Sequence, residues 1–365
     1  MLRRDNVNIL VVGCGNMGTS HSRAYQKIDG FNIVGLVSRS PESRERLSDE
    51  LGGLPTFGDF ETALQETKPD AVSINTYPDT HAEYAIKAME AGAHVFVEKP
   101  LAETVEDAIK VAETAKRLNK KVLVGYISRY HPGWIRFVNE GKKLGKPLVM
   151  RMNLNQQSTG KEWAVHKNLM NSMSPIVDCG VHYVDMMCQM TGANPIQVFA
   201  IGARLHKDLK PDMYNYGQLQ VIFDDGSVGW YESGWGPMMS ENAYFIKDAI
   251  GPKGSITVEK DTTGQPQGKS ADVEDHGVVN KLRLHHSDTD ENDNLTKPDE
   301  IISVENEPDH DELCQIEQEY FLKIIKEDID MTDHLNVAVQ TLQIVLACDE
   351  SVRTKKVVPL QPIAF

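Results

Sequence analysis

The chain has little positive charge, few cysteines and no long apolar run, and each shortage removes a class of function. Lys and Arg number 38 against 53 Asp and Glu in 365 residues, a formal net charge of −15 at pH 7. That balance argues against nucleic acid and an anionic membrane as partners, although an acidic surface can hold a local basic pocket. The five cysteines are Cys14, Cys179, Cys188, Cys314 and Cys348, with no Cys-x-x-Cys pair among them. An odd count without such pairs fits reduced thiols in a cytoplasmic protein better than a disulfide or zinc framework. No run approaches the roughly 20 apolar residues of a membrane span. Arg3-Arg4 resembles the start of a twin-arginine export signal, but Ile9-Leu10-Val11-Val12 is too short for the apolar region of a signal peptide and runs into glycines. It reads better as a first strand.

What is present is an ordinary globular composition, 40% hydrophobic and 25% charged, at a length that suggests two domains. The first third alternates strand-like and helix-like stretches. Strands are expected over residues 7–12, 31–37, 56–57, 71–74, 94–97 and 122–126. Helices are expected over 18–28, from Ser40-Pro41 to about 51, a short one after Asp59, then 79–91 and 105–118. Strictly alternating elements imply a doubly wound parallel sheet. After about residue 129 the pattern changes. A helix over 132–143, a strand over 148–154 and a helix opened by Ser174-Pro175 and closed by Gly192 precede longer strands at 196–203, 216–223, 227–233 and 243–250. Asp225-Gly226 is a hairpin signal between two of them. Residues 259–300 are polar and acidic and read as a long excursion or irregular hairpin. Helices over 311–325 and 333–352 finish the chain. The expectation is an α/β protein with a parallel-sheet domain over residues 1–128, followed by an α+β domain with a large, mostly antiparallel sheet over 129–365.

Three stretches carry chemistry. Gly13-Cys14-Gly15-Asn16-Met17-Gly18 fits G-x-G-x-x-G, follows the first strand and opens a helix, which is the context of a dinucleotide pyrophosphate site. About 20 residues on, Ser38-Arg39-Ser40 stands where NAD sites carry an acidic residue. An arginine with two hydroxyls suits a 2′-phosphate, so NADP is favoured over NAD. Glu98-Lys99-Pro100 follows the apolar run at 94–97, and Pro100 ends the strand, leaving Lys99 at the carboxyl end of the sheet where ligands bind. A lysine after a strand is most often a solvated surface group, and the tripeptide gains meaning from its surroundings. Asp178 and His182 lie four apart on the helix opened by Ser174, on one face. A carboxylate beside an imidazole favours its charged form and makes it an acid–base candidate. Asp185, three beyond His182, is an alternative partner. His285-His286 with Asp288 sits in a polar stretch and reads as solvated rather than as a metal site.

In this order and spacing the chain resembles the Gfo/Idh/MocA family of sugar and cyclitol oxidoreductases. Asn75-Thr76-Tyr77-Pro78 with His81 is similar to the family's segment along the cofactor, and residues 125–130 to the segment joining its two domains. The resemblance implies a Rossmann domain followed by an α+β domain whose open sheet packs on another subunit. It implies Lys99, Asp178 and His182 as catalytic residues. The cofactor would lie on Gly13, Gly15, Asn16, Met17, Gly18, Ser38, Arg39, Asn75, Thr76, His81 and Glu98, with no metal. The chain departs from the family at Ser172-Met173-Ser174-Pro175, where relatives often carry glycines.

The activity implied is hydride transfer between NADP or NAD and a carbinol carbon of a sugar, polyol or cyclitol bound between the domains. His182 would act as base, or Lys99 in its place. A redox-neutral NAD-dependent glycosidase and a non-enzymatic dinucleotide-binding regulator are the other readings. Keeping Lys99, Asp178 and His182 together speaks against the regulator. Apolar alternation at Leu219, Val221 and Phe223, followed by Trp230, Tyr231 and Trp235, leads to an expected homodimer or homotetramer.

Overall fold

The computed structural model describes residues 6–240, 245–259, 277–363 and 365. By compactness the chain divides into two units. The first runs up to Tyr130 and takes in Pro308–Val339 and Phe365, and the second holds His131–Glu307 and Gln340–Ala364.

The first unit alternates strand and helix. Its elements are β1 (Val7–Val12), α1 (Asn16–Lys27), β2 (Phe31–Val37), α2 (Pro41–Glu50), β3 (Thr56–Phe57), α3 (Phe60–Thr67), β4 (Ala71–Ile74), α4 (Pro78–Glu90), β5 (His94–Val97), α5 (Val105–Leu118) and β6 (Val122–Val124). The six strands form a parallel sheet in the order β3-β2-β1-β4-β5-β6. The order reverses between β1 and β4, which opens a crevice at the carboxyl ends of those strands. Ile9, Leu10, Val72, Ile74, Val95, Phe96 and Val97 are wholly buried. A parallel sheet covered on both faces produces these unbroken apolar runs, which is why its strands were legible.

The helices start where their caps dictate. The Ser40 side chain accepts from the Ser43 N–H ahead of Pro41, the Asp59 side chain accepts from Thr62, and Thr104 caps α5. Helix α1 begins at Asn16, two residues earlier than expected, inside the glycine loop itself.

The second unit contains α6 (Pro132–Gly141), β7 (Val149–Gln157), α7 (Gly160–Leu169), α8 (Pro175–Thr191), β8 (Pro195–Ala203), β9 (Tyr216–Phe223), β10 (Val228–Gly236), β11 (Lys247–Gly251), β12 (Gly254–Glu259), β13 (Lys281–His286) and β14 (Glu300–Ser303). Then come α9 (His310–Lys326), α10 (Thr332–Thr354) and β15 (Val358–Pro359). The nine-stranded sheet runs β14-β13-β12-β11-β7-β10-β9-β8-β15. Only β7 and β10 pair in parallel; the other neighbours are antiparallel.

Several expectations change. Helix α7 was not anticipated. The polar stretch 259–300 contributes β13 and leads into β14, and the two pair antiparallel with Lys281 opposite Ser303. Of the strand expected over 243–250, residues 243–244 lie outside the described residues, as does 260–276 of the excursion. The C-terminal segment expected with the second domain returns in part to the first unit. Helix α9, opened by a capping box between Asp309 and Glu312, packs Phe321, Leu322 and Ile324 into the cluster around Val7, Tyr25 and Phe31.

One face of the large sheet is covered by α8. Gly180 brings the helix so close that a Cβ there would lie 2.9 Å from the Tyr231 ring, and Gly229 meets Met187 in the same way. Leu219, Val221 and Phe223 face this side and are buried. Tyr231 and Trp235, part of the apolar area from which assembly was expected, are also buried: Tyr231 stacks on Tyr183 of α8. Strand alternation decides this, because Tyr231 pairs with Leu219 and so shares its face. The other face carries Trp230 half-buried. It also carries an apolar row read from the register, in which Ile222 pairs with Val228, Val228 with Val149, and Val149 with Ile250. Among the described residues no helix is long and apolar enough to cross a membrane.

Candidate active site

The glycine loop is built by close backbone approach. Gly13 has φ +95°, and a Cβ there would stand 2.4 Å from the Asn75 carbonyl oxygen. A Cβ on Gly18 would stand 1.8 Å from the Gly13 carbonyl oxygen. Only glycine fits either place. At Gly15, by contrast, an added Cβ would meet nothing within 4 Å. Gly15 is the N-cap of α1, makes no side-chain cap, and the first turn has no acidic residue. The free N–H groups of this turn and the positive end of the helix dipole therefore face an open, anion-ready space, which fits a pyrophosphate. Asn75 sits beneath the loop, its amide bonded to Ser73 and 3.5 Å from the Val12 carbonyl.

At the end of β2, Arg39 is exposed and Ser40 caps α2. Arg44, which the sequence did not single out, folds back so that its guanidinium donates to the Ser38 carbonyl at 2.8 Å. Its positive charge and that of Arg46 act on Cys14, whose buried thiol is nevertheless pushed up to about 11 by desolvation. Two arginines beyond Arg39 thus add positive charge near this end of β2.

After β4, Thr76 is half-buried and its hydroxyl shares a hydrogen bond with Thr80 at 2.6 Å. His81 is wholly buried, with Nδ1 2.7 Å from the Pro100 carbonyl and Nε2 3.0 Å from that of Thr76. Burial holds its pKa below the usual value against those two carbonyls, and a neutral ring can donate to only one of them. His81 thereby ties the loop after β4 to the segment after Lys99.

Lys99 is half-buried two residues past the end of β5, and its bond to Pro100 is cis. The Glu98 carboxylate points inward. Its Oε1 lies 2.8 Å from His21 Nε2 and its Oε2 accepts from the Lys99 N–H at 3.3 Å. Burial alone would raise the pKa of Glu98, yet the bond to His21 and the charge of Lys99 carry it below the usual value. Gly125 lines this carboxylate, since a Cβ there would lie 3.4 Å from Oε2.

In the second unit, Ser174 caps α8 by accepting from Val177 N–H at 3.2 Å, Pro175 takes the first helical position, and Gly192 closes the helix in the left-handed region. The departure from glycines therefore leaves the helix intact. Ser174 also donates to Asp349 at 2.7 Å, and the Tyr214 hydroxyl donates to Asp349 at 2.5 Å. Asp178 and His182 lie one turn apart on α8, both half-buried. Asp185 is buried, and its Oδ2 accepts from Gln189 at 2.8 Å.

His166 on α7 stacks on Trp235 with centroids 4.2 Å apart and planes 9° from parallel. Burial pushes its pKa down to about 4 against the charge of Asp178. Its Nδ1 and Trp235 Nε1 are buried without a hydrogen-bond partner among the described residues. Nothing in the local sequence marked this pair, 69 residues apart by number. His285 and His286 pair across the ladder with Asp299 and Glu300, each at 2.8 Å.

Residues 7–126 match the model of an oxidoreductase family with an NAD-binding Rossmann fold, and residues 138–360 match that family's C-terminal alpha/beta domain. Among curated relatives, the chain is 28% identical over 263 residues to scyllo-inositol 2-dehydrogenase (NAD(+)) of Bacillus subtilis, 69% of this chain and 73% of that protein. It is 27% identical over 213 residues to 4-carboxy-2-hydroxymuconate-6-semialdehyde dehydrogenase of Sphingobium, covering 56% of this chain and 64% of that protein. With UDP-N-acetylglucosamine 3-dehydrogenase of Acidithiobacillus ferrooxidans it shares 29% identity over 203 residues, 56% of this chain and 60% of that one. The solved structure of the latter superposes with TM-score 0.75 at 20% identity over 96% of this chain and 98% of its own. That of scyllo-inositol dehydrogenase from Lactobacillus casei, with bound NAD(H) and scyllo-inositol, gives 0.74 at 20% identity over 97% and 99%. Likeness at this identity establishes the shared fold.

Proposed function

The chain belongs to the Gfo/Idh/MocA oxidoreductase family, and from that premise we propose that it transfers a hydride between a nicotinamide dinucleotide and a carbinol carbon of a cyclitol, sugar or polyol. The observation that carries this reading is the uncapped α1 N-terminus at Gly15, which follows β1 of the same sheet whose strand β5 ends two residues before Lys99. The dinucleotide, when bound, supplies the hydride acceptor or donor.

The chain's own groups do the rest. Backbone N–H groups of Asn16, Met17 and Gly18 bind the pyrophosphate. Ser38 and Arg39, joined by Arg44, favour a 2′-phosphate and hence NADP. Asn75 and Thr76 border the cofactor, with His81 and Glu98 bracing the segments that meet it. His182, oriented by Asp178, takes the proton from the substrate hydroxyl in the oxidative direction. Lys99 donates a hydrogen bond to the same oxygen and stabilises the negative charge that develops there. The reverse reaction uses the same groups.

Support for assembly comes from the open face of the large sheet, where Phe199, Ile201, Val228, Val149 and Ile250 are exposed. A homodimer or homotetramer would cover this face. The reduced thiols fit a cytoplasmic location. The test is a screen of cyclitols, aldoses and polyols with NAD and with NADP, followed by absorbance of the reduced nicotinamide. Accumulation of reduced cofactor with one substrate supports the reading. Turnover of a glycoside with no net reduction would replace it with redox-neutral hydrolysis.

A further inference from the structure

Beneath Lys99 lies a buried polar chain that links three distant segments. The Tyr25 hydroxyl donates to Gln318 Oε1 at 2.8 Å. Gln318 Nε2 approaches His21 Nδ1 at 3.1 Å, and His21 Nε2 approaches Glu98 Oε1 at 2.8 Å. Glu98 Oε2 then accepts from the Lys99 N–H at 3.3 Å. The exposures are 1% for Tyr25, 0% for Gln318 and His21, and 7% for Glu98, so water cannot substitute for the bonds among these four side chains. An amide nitrogen can only donate, so Nδ1 of His21 accepts and the ring proton sits on Nε2, aimed at Glu98. We propose that His21 and Gln318 are positioning residues for Lys99. Gln318 locks the imidazole as its Nε2–H tautomer, and that N–H holds Glu98 as a carboxylate beside Lys99, which keeps Lys99 a charged donor.

The surroundings of Glu98 support this assignment. Around Glu98 stand His21 and Tyr25 from α1, His81 from α4, Lys99 next in the chain, and Cys314 and Glu317 from α9. Glu317 is 1% exposed, and its buried Oε1 has no hydrogen-bond partner among the described residues. Burial first, and then the charge of Glu98, keep its carboxyl well above the usual range against the pull of Arg129. Two neighbouring carboxyls are thus driven apart, and the one with the His21 donor is the one that ionises. The interaction is reciprocal: if the Lys99 charge lowers the Glu98 pKa, the Glu98 charge raises that of Lys99 by the same free energy. A charged Lys99 donates to the reacting oxygen and leaves proton removal to His182. The inference rests on the reading of Lys99 given above.

The test titrates Lys99 directly, by NMR of the full chain reductively dimethylated with isotope-labelled formaldehyde, the resonance being assigned with Lys99→Arg. Glu98→Gln removes the carboxylate charge at every pH and is expected to lower the Lys99 pKa by about one unit or more. His21→Phe removes the donor to Glu98, together with the acceptor for Gln318, while leaving the carboxyl in place; it is expected to shift the Lys99 pKa the same way, and His21→Gln, which keeps an N–H at that end, to restore it. Gln318→Leu leaves the ring in place and is expected to turn the single Nε2–H tautomer, read from imidazole nitrogen shifts, into a mixture. It carries the test where His21→Phe does not fold. A Lys99 pKa unmoved by Glu98→Gln, or an unchanged tautomer in Gln318→Leu, overturns the proposal. The titration needs no substrate, so its failure is distinct from normal turnover by Lys99→Ala, which would sink the catalytic reading instead. On a substrate found in the screen, the alkaline limb of kcat/KM should move with the Lys99 pKa, a change that loss of stability alone would not produce.

Discussion

Gly18 stands against Gly13 so closely that a Cβ on Gly18 would lie 1.8 Å from the Gly13 carbonyl oxygen, whereas Gly15 between them looks onto open space. The two positions therefore separate folding from binding. Gly18→Ala must push the start of α1 off the loop, an overpacking that typically costs about 1–3 kcal/mol, and should lower both the melting temperature and dinucleotide affinity. Gly15→Ala should leave the melting temperature of the free protein unchanged and still weaken dinucleotide binding. Unchanged affinity in Gly15→Ala, by calorimetry, would move the pyrophosphate away from this helix end.

Cofactor choice is expected to follow the arginines at the end of β2. Arg39→Asp replaces attraction with repulsion at a 2′-phosphate and removes a charge-assisted bond worth about 1.5–3 kcal/mol. NADP affinity should fall roughly ten- to hundredfold, with little change for NAD. Equal affinities before and after would show that Arg39 does not read the phosphate.

Turnover should depend on Lys99 far more than binding does. Lys99→Ala is expected to cost about 100- to 1,000-fold in kcat, as loss of one donor to a developing oxyanion does. Dinucleotide affinity should hold, because the pyrophosphate rests on the Gly13–Gly18 loop. His182→Ala should lower kcat and flatten the acid limb of the oxidative pH profile. Near-normal turnover of Lys99→Ala, with a melting temperature like the parent's, would remove it from the chemistry.

His166 makes the protein acid-sensitive in a defined window. Its folded pKa is pushed down to about 4 by burial, against about 6.5 in the unfolded chain. Between those values the unfolded state binds a proton that the folded state does not, so stability is greatest above pH ~6.5 and is lost as pH falls toward 4. The contribution is on the order of 3 kcal/mol. Urea melts from pH 7 to 4.5 should show the loss, and His166→Phe should reduce the slope. An identical slope in the variant would mean that other groups, such as His94, also held at about 4 by burial, account for it.

Self-association should depend on the apolar row across β9, β10, β7 and β11. Light scattering at micromolar concentration is expected to show a dimer or tetramer, and Val149→Lys with Val228→Lys to shift it toward monomer. A monomeric parent would refute the assembly.

Much of the fold was legible because its signals are local. Gly13-x-Gly15-x-x-Gly18 marks a tight turn because an apolar strand runs directly into it and a helix leaves it, Ser174-Pro175 and Gly192 mark both ends of α8, and strands buried on both faces write themselves as apolar runs. Asp178 and His182 share a helix face by spacing alone. What tertiary structure alone decided is which distant groups meet. His21 and Glu98 are 77 residues apart, and His21 and Gln318 are 297 apart. The return of α9 to the first unit, which brings Gln318 to His21, is driven by Phe321 and Ile324 filling a core that their own neighbours in sequence do not announce. His166 on α7 reached Trp235 on β10 in the same way. A hydrogen bond or a stacked pair is specified by where two backbones pass, and that is set by burial summed over the whole unit, which no short window of sequence contains.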